Sequence, residues 1–219
     1  MQQLRIYFYL VVGLLSGVAS WAQDQISIAN FSLGVDTKGV PTGWQLKEKS
    51  GQADFAVLNE DDVRALQLRS ASASFSFQRE SKVDLKQYPI LSWKWKVTKL
   101  PQGGDFRKSK TDDQAAQLFV AFSKTKAIVY LWDTTAPQNL MADAFAPPFM
   151  SIKVVVVRSG PADTGKWITE TRNVYEDYRA LYGDKDPTPV ASGIRLQINS
   201  QHTRTLAESY FGDVVFRKR

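Results

Sequence analysis

The chain has 219 residues, no cysteine, one histidine and a formal net charge of +6. Zero cysteine removes thiol nucleophiles, thiolate zinc sites and disulfide frameworks together, and a lone histidine cannot anchor a typical zinc site. The basic excess is spread along the chain, with its densest piece at Arg107-Lys108-Ser109-Lys110; that excludes a concentrated nucleic-acid face and leaves an anionic glycan or a lipid headgroup as the attractive counterpart.

The first elements are those of export. Met1 to Arg5 is short and positively charged, Ile6 to Val18 is almost wholly apolar, and Ser20-Trp21-Ala22 offers small residues at the −3 and −1 positions of a cleavage site. That is the layout of a secretory signal, and the apolar run falls short of the roughly 20 residues a membrane span needs. The sequence therefore predicts a signal peptide over 1–22 and one domain over 23–219, periplasmic or secreted, with no transmembrane span in the mature chain. An exported chain without disulfides suits a bacterial periplasm or cell surface.

Period-2 alternation then recurs along the chain. Leu66 and Leu68 mark one run, Ala73, Phe75 and Phe77 the next, and Leu91, Trp93, Trp95 and Val97 the clearest. Leu118, Val120 and Phe122 follow, then Ile128, Tyr130 and Trp132. Ile152 to Val157 is nearly continuous apolar sequence, as expected of a strand covered on both sides. Helical spacing is confined to Val174, Tyr178 and Leu181, with Gly183 as a stop, so one short helix is predicted over 174–182. Ile194, Leu196 and Ile198 alternate again, and Tyr210 to Phe216 reads as the closing strand. Roughly ten strands and one helix predict an all-β sandwich. Two long loops, 101–113 and 133–148, interrupt it, and loops of that length are often functional.

Several blocks carry a resemblance. Val83-Asp84-Leu85, Pro89 to Val97, Asp112-Asp113-Gln114-Ala115-Ala116, Val155 to Gly160 and Tyr210-Phe211-Gly212-Asp213-Val214 occur in order. They resemble a family of exported bacterial proteins, domain of unknown function 3047. More loosely, the Leu-x-Trp-x-Trp strand and the aromatic-Gly-Asp-Val closing strand look like galactose-binding-type jelly rolls, a fold that hosts many carbohydrate-binding modules. That likeness implies a structural calcium held in part by Asp213. Asn30-Phe31-Ser32 lacks the acidic partner, however, so Asp213 is expected to cap a turn or pair with Arg158, with no cofactor.

Candidate site residues follow from the faces. Trp93, Trp95 and Trp132 share faces with aliphatic residues and read as core. Trp44 and Trp167 stand beside glycines at strand starts and are the candidate platforms for a sugar ring. Lys94, Lys96, Gln117, Glu170, Arg172, Arg195, Gln197 and Asn199 are expected to point away from the core, forming a polar surface suited to sugar hydroxyls. Hydrolysis needs two carboxyl groups ~5–10 Å apart; Asp113, Asp133 and Glu170 are the candidates, with Asp113 and Asp133 expected at one end of a hairpin. His202 lies in a polar turn and is expected at the surface. No phosphate-binding glycine motif is present.

The expected function is non-catalytic binding of a carbohydrate or another envelope glycoconjugate. The alternatives are a glycan-active hydrolase or lyase using paired carboxylates, and an envelope protein-interaction domain. The last predicts an exposed apolar patch around Leu140, Met141, Phe145 and Phe149.

Overall fold

The computed structural model describes residues 24–183 and 189–219; the expected signal peptide, residues 1–22, lies outside the described residues. The described strands are β1 (Gln25–Ala29), β2 (Gln45–Ser50), β3 (Asp54–Glu60), β4 (Val63–Ala71), β5 (Ser74–Asp84), β6 (Ile90–Lys99), β7 (Ala116–Ala121), β8 (Lys126–Asp133), β9 (Met141–Asp143), β10 (Ser151–Ser159), β11 (Ile168–Asn173), β12 (Val190–Asn199) and β13 (Leu206–Arg217). The predicted helix is α1 (Val174–Tyr182), capped by the Asn173 side chain and ended at Gly183, whose φ is +76°. Among the described residues no helix is long and apolar enough to cross a membrane.

Two sheets face each other. One runs β11-β6-β13-β4-β3, with β1 also on β13; the other runs β2-β5-β12-β7-β8-β10-β9. Pairing is antiparallel except between β8 and β10, which are parallel. The result is a jelly-roll-type sandwich with one short helix. Short strand β9 lies inside a segment the sequence reads as loop.

Alternation decides which side chains fill the space between the sheets. Trp93 and Trp95 project from β6 and meet Tyr130 and Trp132 of β8, with ring centroids 5.2 and 5.9 Å apart. These four rings are buried at the centre of the core, where aromatic pairs add ~0.5–1.5 kcal/mol beyond their area. Trp44 belongs there too. It is only 7 % exposed and its ring packs against Phe31, 6.0 Å away, so the expectation of an exposed platform is corrected.

The closing motif has a local cause. Between Phe211 and Val214 the pairing of β13 with β6 shifts register, so Gly212 and Asp213 oppose the single residue Lys94. This β-bulge lets both Phe211 and Val214 face the core. A Cβ on Gly212 would lie 3.1 Å from a Val63 methyl and 3.2 Å from the Lys94 Cβ, so a side chain fits poorly there. Asp213 is left exposed on the bulge. Arg158 is held by Glu170 and Asp163 instead, which corrects the expected Asp213–Arg158 pair.

Candidate functional site

The outer face of the seven-stranded sheet changes character across its width. Register places Val154, Val129, Phe119, Arg195, Gln78 and Gln45 in one row across β10, β8, β7, β12, β5 and β2. The next row holds Val156, Leu131, Gln117, Gln197, Ser76 and Lys47. At about 4.8 Å per strand each row is about 24 Å wide. The β10–β8 end of each row is aliphatic, Phe119 extends it in the first row, and the rest is amide, hydroxyl and cation.

Two long loops roof the apolar half. Phe106 from one, and Ala144 with its neighbours from the other, join Phe119, Val129, Leu131, Val154 and Val156 in a second apolar cluster outside the sandwich. Asp133 fastens the loops to each other. Its carboxylate accepts from the backbone N–H of Phe106 at 3.0 Å and of Thr135 and Ala136 at 2.8 Å. Burial pushes its pKa above the usual carboxylate value, with those three donors pulling the other way. Thr134 and Thr135 add hydroxyl bonds to the carbonyls of Pro101 and Gly104.

Where the roof stops, a groove of about 290 Å³ opens along the boundary. Its apolar wall includes Phe106, Phe119, Leu131, Phe145 and Met150, and its polar wall Asp112, Gln114, Gln117, Arg195, Gln197 and Asn199. His202 stands exposed at the rim, its Nδ1 3.1 Å from the Asp112 carbonyl and 3.4 Å from the Asp113 carboxylate. A second depression of about 530 Å³ continues the groove past Arg195 towards Gln78, Gln45 and Lys124.

The polar wall is ordered by one residue. Asn199 donates to the Asp112 carbonyl at 2.7 Å and to the Asp113 carboxylate at 3.1 Å, and accepts from the Gln114 N–H and the Gln117 amide. Gln117 in turn accepts from Gln197 at 3.4 Å. Asp113 also accepts from the Thr203 N–H, tying the first long loop to the β12–β13 turn. Burial raises the Asp112 pKa, while Gln114 and His202 work in the opposite direction.

The predicted polar surface is thus divided among three places. Gln117, Arg195, Gln197 and Asn199 come together in the groove. Lys94 and Lys96 lie on the outer face of the other sheet, where Lys96 is buried and bridges Glu60 at 2.5 Å and Asp61 at 2.6 Å. Glu170 and Arg172 point inward, a correction forced by register, because they pair with Trp93 and Leu91 of β6. β11 is an edge strand, and charges turned inward at an edge discourage further pairing. Glu170 accepts from Arg158 at 2.7 Å and from the Trp95 indole at 3.3 Å. Arg172 pairs with Asp177, which also accepts from the Tyr130 hydroxyl.

Trp167 likewise leaves the predicted surface. It is half-buried on the outer face of the six-stranded sheet, donating to the Glu60 carbonyl at 3.1 Å beside Tyr210. The structure therefore does not bring Asp113, Asp133 and Glu170 into one cleft. Asp113 and Asp133 brace loops, and Glu170 sits at the seam between the sheets. No group of three or more potential metal ligands occurs among the described residues.

The sequence assigns no site role to Phe106 and Phe119, and places Phe145 in an exposed patch for a protein partner instead of in a groove. A signal for Phe119 was present: Leu118-Phe119-Val120 and Ala127 to Trp132 are apolar at every position, like Val154 to Val157. Three adjacent strands without a polar face imply a covered outer side.

The fold and groove define a jelly-roll sandwich with an open, half-apolar concave face. The chain belongs to the family described as protein of unknown function (DUF3047), whose model matches residues 42–215. Among curated proteins no relative matches. Among solved structures, the xyloglucanase domain of NopAA, a type three effector from Sinorhizobium fredii in complex with cellobiose, is 8 % identical with a TM-score of 0.50. That match covers 81 % of this chain and 94 % of that one, and it concerns the fold. A family 11 carbohydrate-binding module from a Clostridium thermocellum cellulase is 8 % identical with a TM-score of 0.47, covering 90 % of this chain and 96 % of that one.

Proposed function

We propose that this protein is an exported, periplasmic or secreted, glycan-binding sandwich that holds an extended sugar chain without cleaving it. The observation that carries the reading is the boundary on the seven-stranded sheet. A sugar ring has apolar C–H faces and a hydroxyl rim, and the groove sets an apolar wall with exposed Phe145 against a wall of Gln117, Gln197 and Arg195. The three polar groups stand on strands, which fix their positions better than loops do. Support also comes from the fold likeness to a xyloglucanase domain crystallised with cellobiose.

Cleavage is the less favoured reading. A glycosidase places two carboxyl groups across the scissile bond, and among the described residues lining the groove Asp112 is the one carboxylate. A protein partner is the second alternative, motivated by Met141, Phe145 and Phe149, which are 41, 57 and 74 % exposed, whereas Leu140 is partly buried. A glycan array with the purified protein decides. The expected result is binding to an extended glycan that Gln117→Ala, Gln197→Ala and Phe145→Ala each weaken and Trp167→Ala leaves unchanged. Absence of binding to every glycan at high protein concentration would refute the proposal.

A further inference from the structure

Five arginines among the described residues are partly buried: Arg69, Arg79, Arg158, Arg172 and Arg195. Four have an oxygen partner. Arg69 pairs with Asp54, Arg158 with Glu170 and Asp163, Arg172 with Asp177, and Arg79 donates to the Ile28 carbonyl. The Arg195 side chain makes no hydrogen bond or ion pair among the described residues. Its guanidinium lies over the Phe119 ring, 4.6 Å from the centroid, in the middle of the groove face.

A half-buried charge with no counter-charge is unfavourable, because it loses water and gains nothing in return. Burial is the sole influence on the Arg195 pKa, which it lowers from the ordinary arginine value. The acids that share a depression with Arg195 do not answer it. Asp112 accepts from Gln114, Glu48 accepts from the Ala53 N–H, and Glu80 forms no ion pair with Arg195. The side-chain amide of the cross-strand neighbour Gln78 makes no hydrogen bond among the described residues, so an amide and a planar fork of N–H donors stand side by side.

Resting on the glycan-binding reading above, we infer that the ligand carries a singly charged oxyanion on a sugar, as a uronate carboxylate or a sulfate ester does, and that Arg195 receives it with Gln78 beside it. The two parallel donors of the Arg195 guanidinium suit a two-oxygen acceptor, and Lys47, Lys49 and Lys124 line the same depressions and add positive charge around it. The Phe119 ring, its centroid 4.6 Å from the guanidinium carbon, fixes the charge on the groove face while its N–H donors stay unclaimed. The remaining bound rings extend over Gln117 and Gln197 on one side and towards Gln45 on the other.

The test compares polygalacturonate, its carboxyl-reduced form, dextran sulfate and polyglutamate by affinity electrophoresis of the purified protein. The expected result is at least tenfold tighter binding to polygalacturonate or dextran sulfate than to the reduced polymer, the tighter of the two identifying the oxyanion. Arg195→Ala should lower binding to the level of the reduced polymer, and Arg195→Lys should restore only part of it, since an ammonium lacks the fork. Lys94→Ala, on the opposite face, should change nothing. Equal binding of the native and reduced polymers, or an Arg195→Ala protein that binds as before, overturns the inference and leaves the groove reading standing. Binding to polyglutamate alone assigns a peptide and overturns both readings, and binding to no polymer in the set or on the array does the same. A thermal melt of each variant confirms that the fold is intact.

Discussion

The outer faces of the two sheets end in opposite states. On the six-stranded sheet the outward polar groups that are buried or half-buried are matched. Lys96 lies between Glu60 and Asp61, Gln67 donates to Glu208 and to the Tyr210 hydroxyl, and Trp167 donates to the Glu60 carbonyl. Burial alone would lower the Lys96 pKa, but Asp61 and Glu60 outweigh it and hold the ammonium above its ordinary value. On the seven-stranded sheet Arg195 and Gln78 have no such partners, and the apolar wall beside them is open at Phe145. A satisfied polar face stabilises the fold; an unsatisfied one beside a groove is available for a ligand.

That contrast can be broken at several points, the largest effect first. Asp133→Ala removes the acceptor of three backbone N–H groups, two of them buried, and unfastens both roofing loops. At about 1 kcal/mol per bond it should cost about 3 kcal/mol in denaturant unfolding, and it should weaken ligand binding as well. Lys96→Met leaves Glu60 and Asp61 facing each other. Because both carboxylates are partly wet, the expected loss is about 1–2 kcal/mol, with ligand binding unchanged.

Acid should act through the first long loop. The Arg107 guanidinium beside Asp105 holds its carboxyl at about 2, down from 3.8. The stabilisation is therefore complete above about pH 4 and is lost as the pH falls through about 2. Arg107 is exposed, so solvent screens the pair and the effect is small. Asp105→Asn should flatten that part of the stability profile in a pH series of thermal melts. The smallest effect is the most telling in sign. Arg195→Met removes a half-buried charge without breaking any pair, so stability should stay within about 0.5 kcal/mol or rise, the reverse of Lys96→Met.

Much of the fold was legible because period-2 alternation is imposed by the pleat itself. The runs at Leu91–Val97 and Ile194–Ile198 are strands with the expected faces inward, and 174–182 is the helix. The candidate site was legible only for β7 and β12, where Gln117, Arg195, Gln197 and Asn199 meet. Which strands are neighbours is set by long-range register that alternation does not encode. Lys94, Lys96, Glu170 and Arg172 were grouped with them on local pattern, yet β6 and β11 belong to the other sheet. On edge strand β11 polar residues face inward, so polarity misreported direction. Trp44 was misplaced because a glycine-flanked tryptophan at a strand start reads the same whether its ring packs outward or onto Phe31.

The most direct measurement is amide chemical-shift mapping of the labelled protein during titration with its best array ligand. The account predicts perturbations gathered on Gln78, Gln117, Phe119, Arg195 and Gln197, with Lys94, Lys96, Trp167 and Tyr210 silent. Perturbations centred on the Lys94–Tyr210 face, with the groove unmoved, would contradict it.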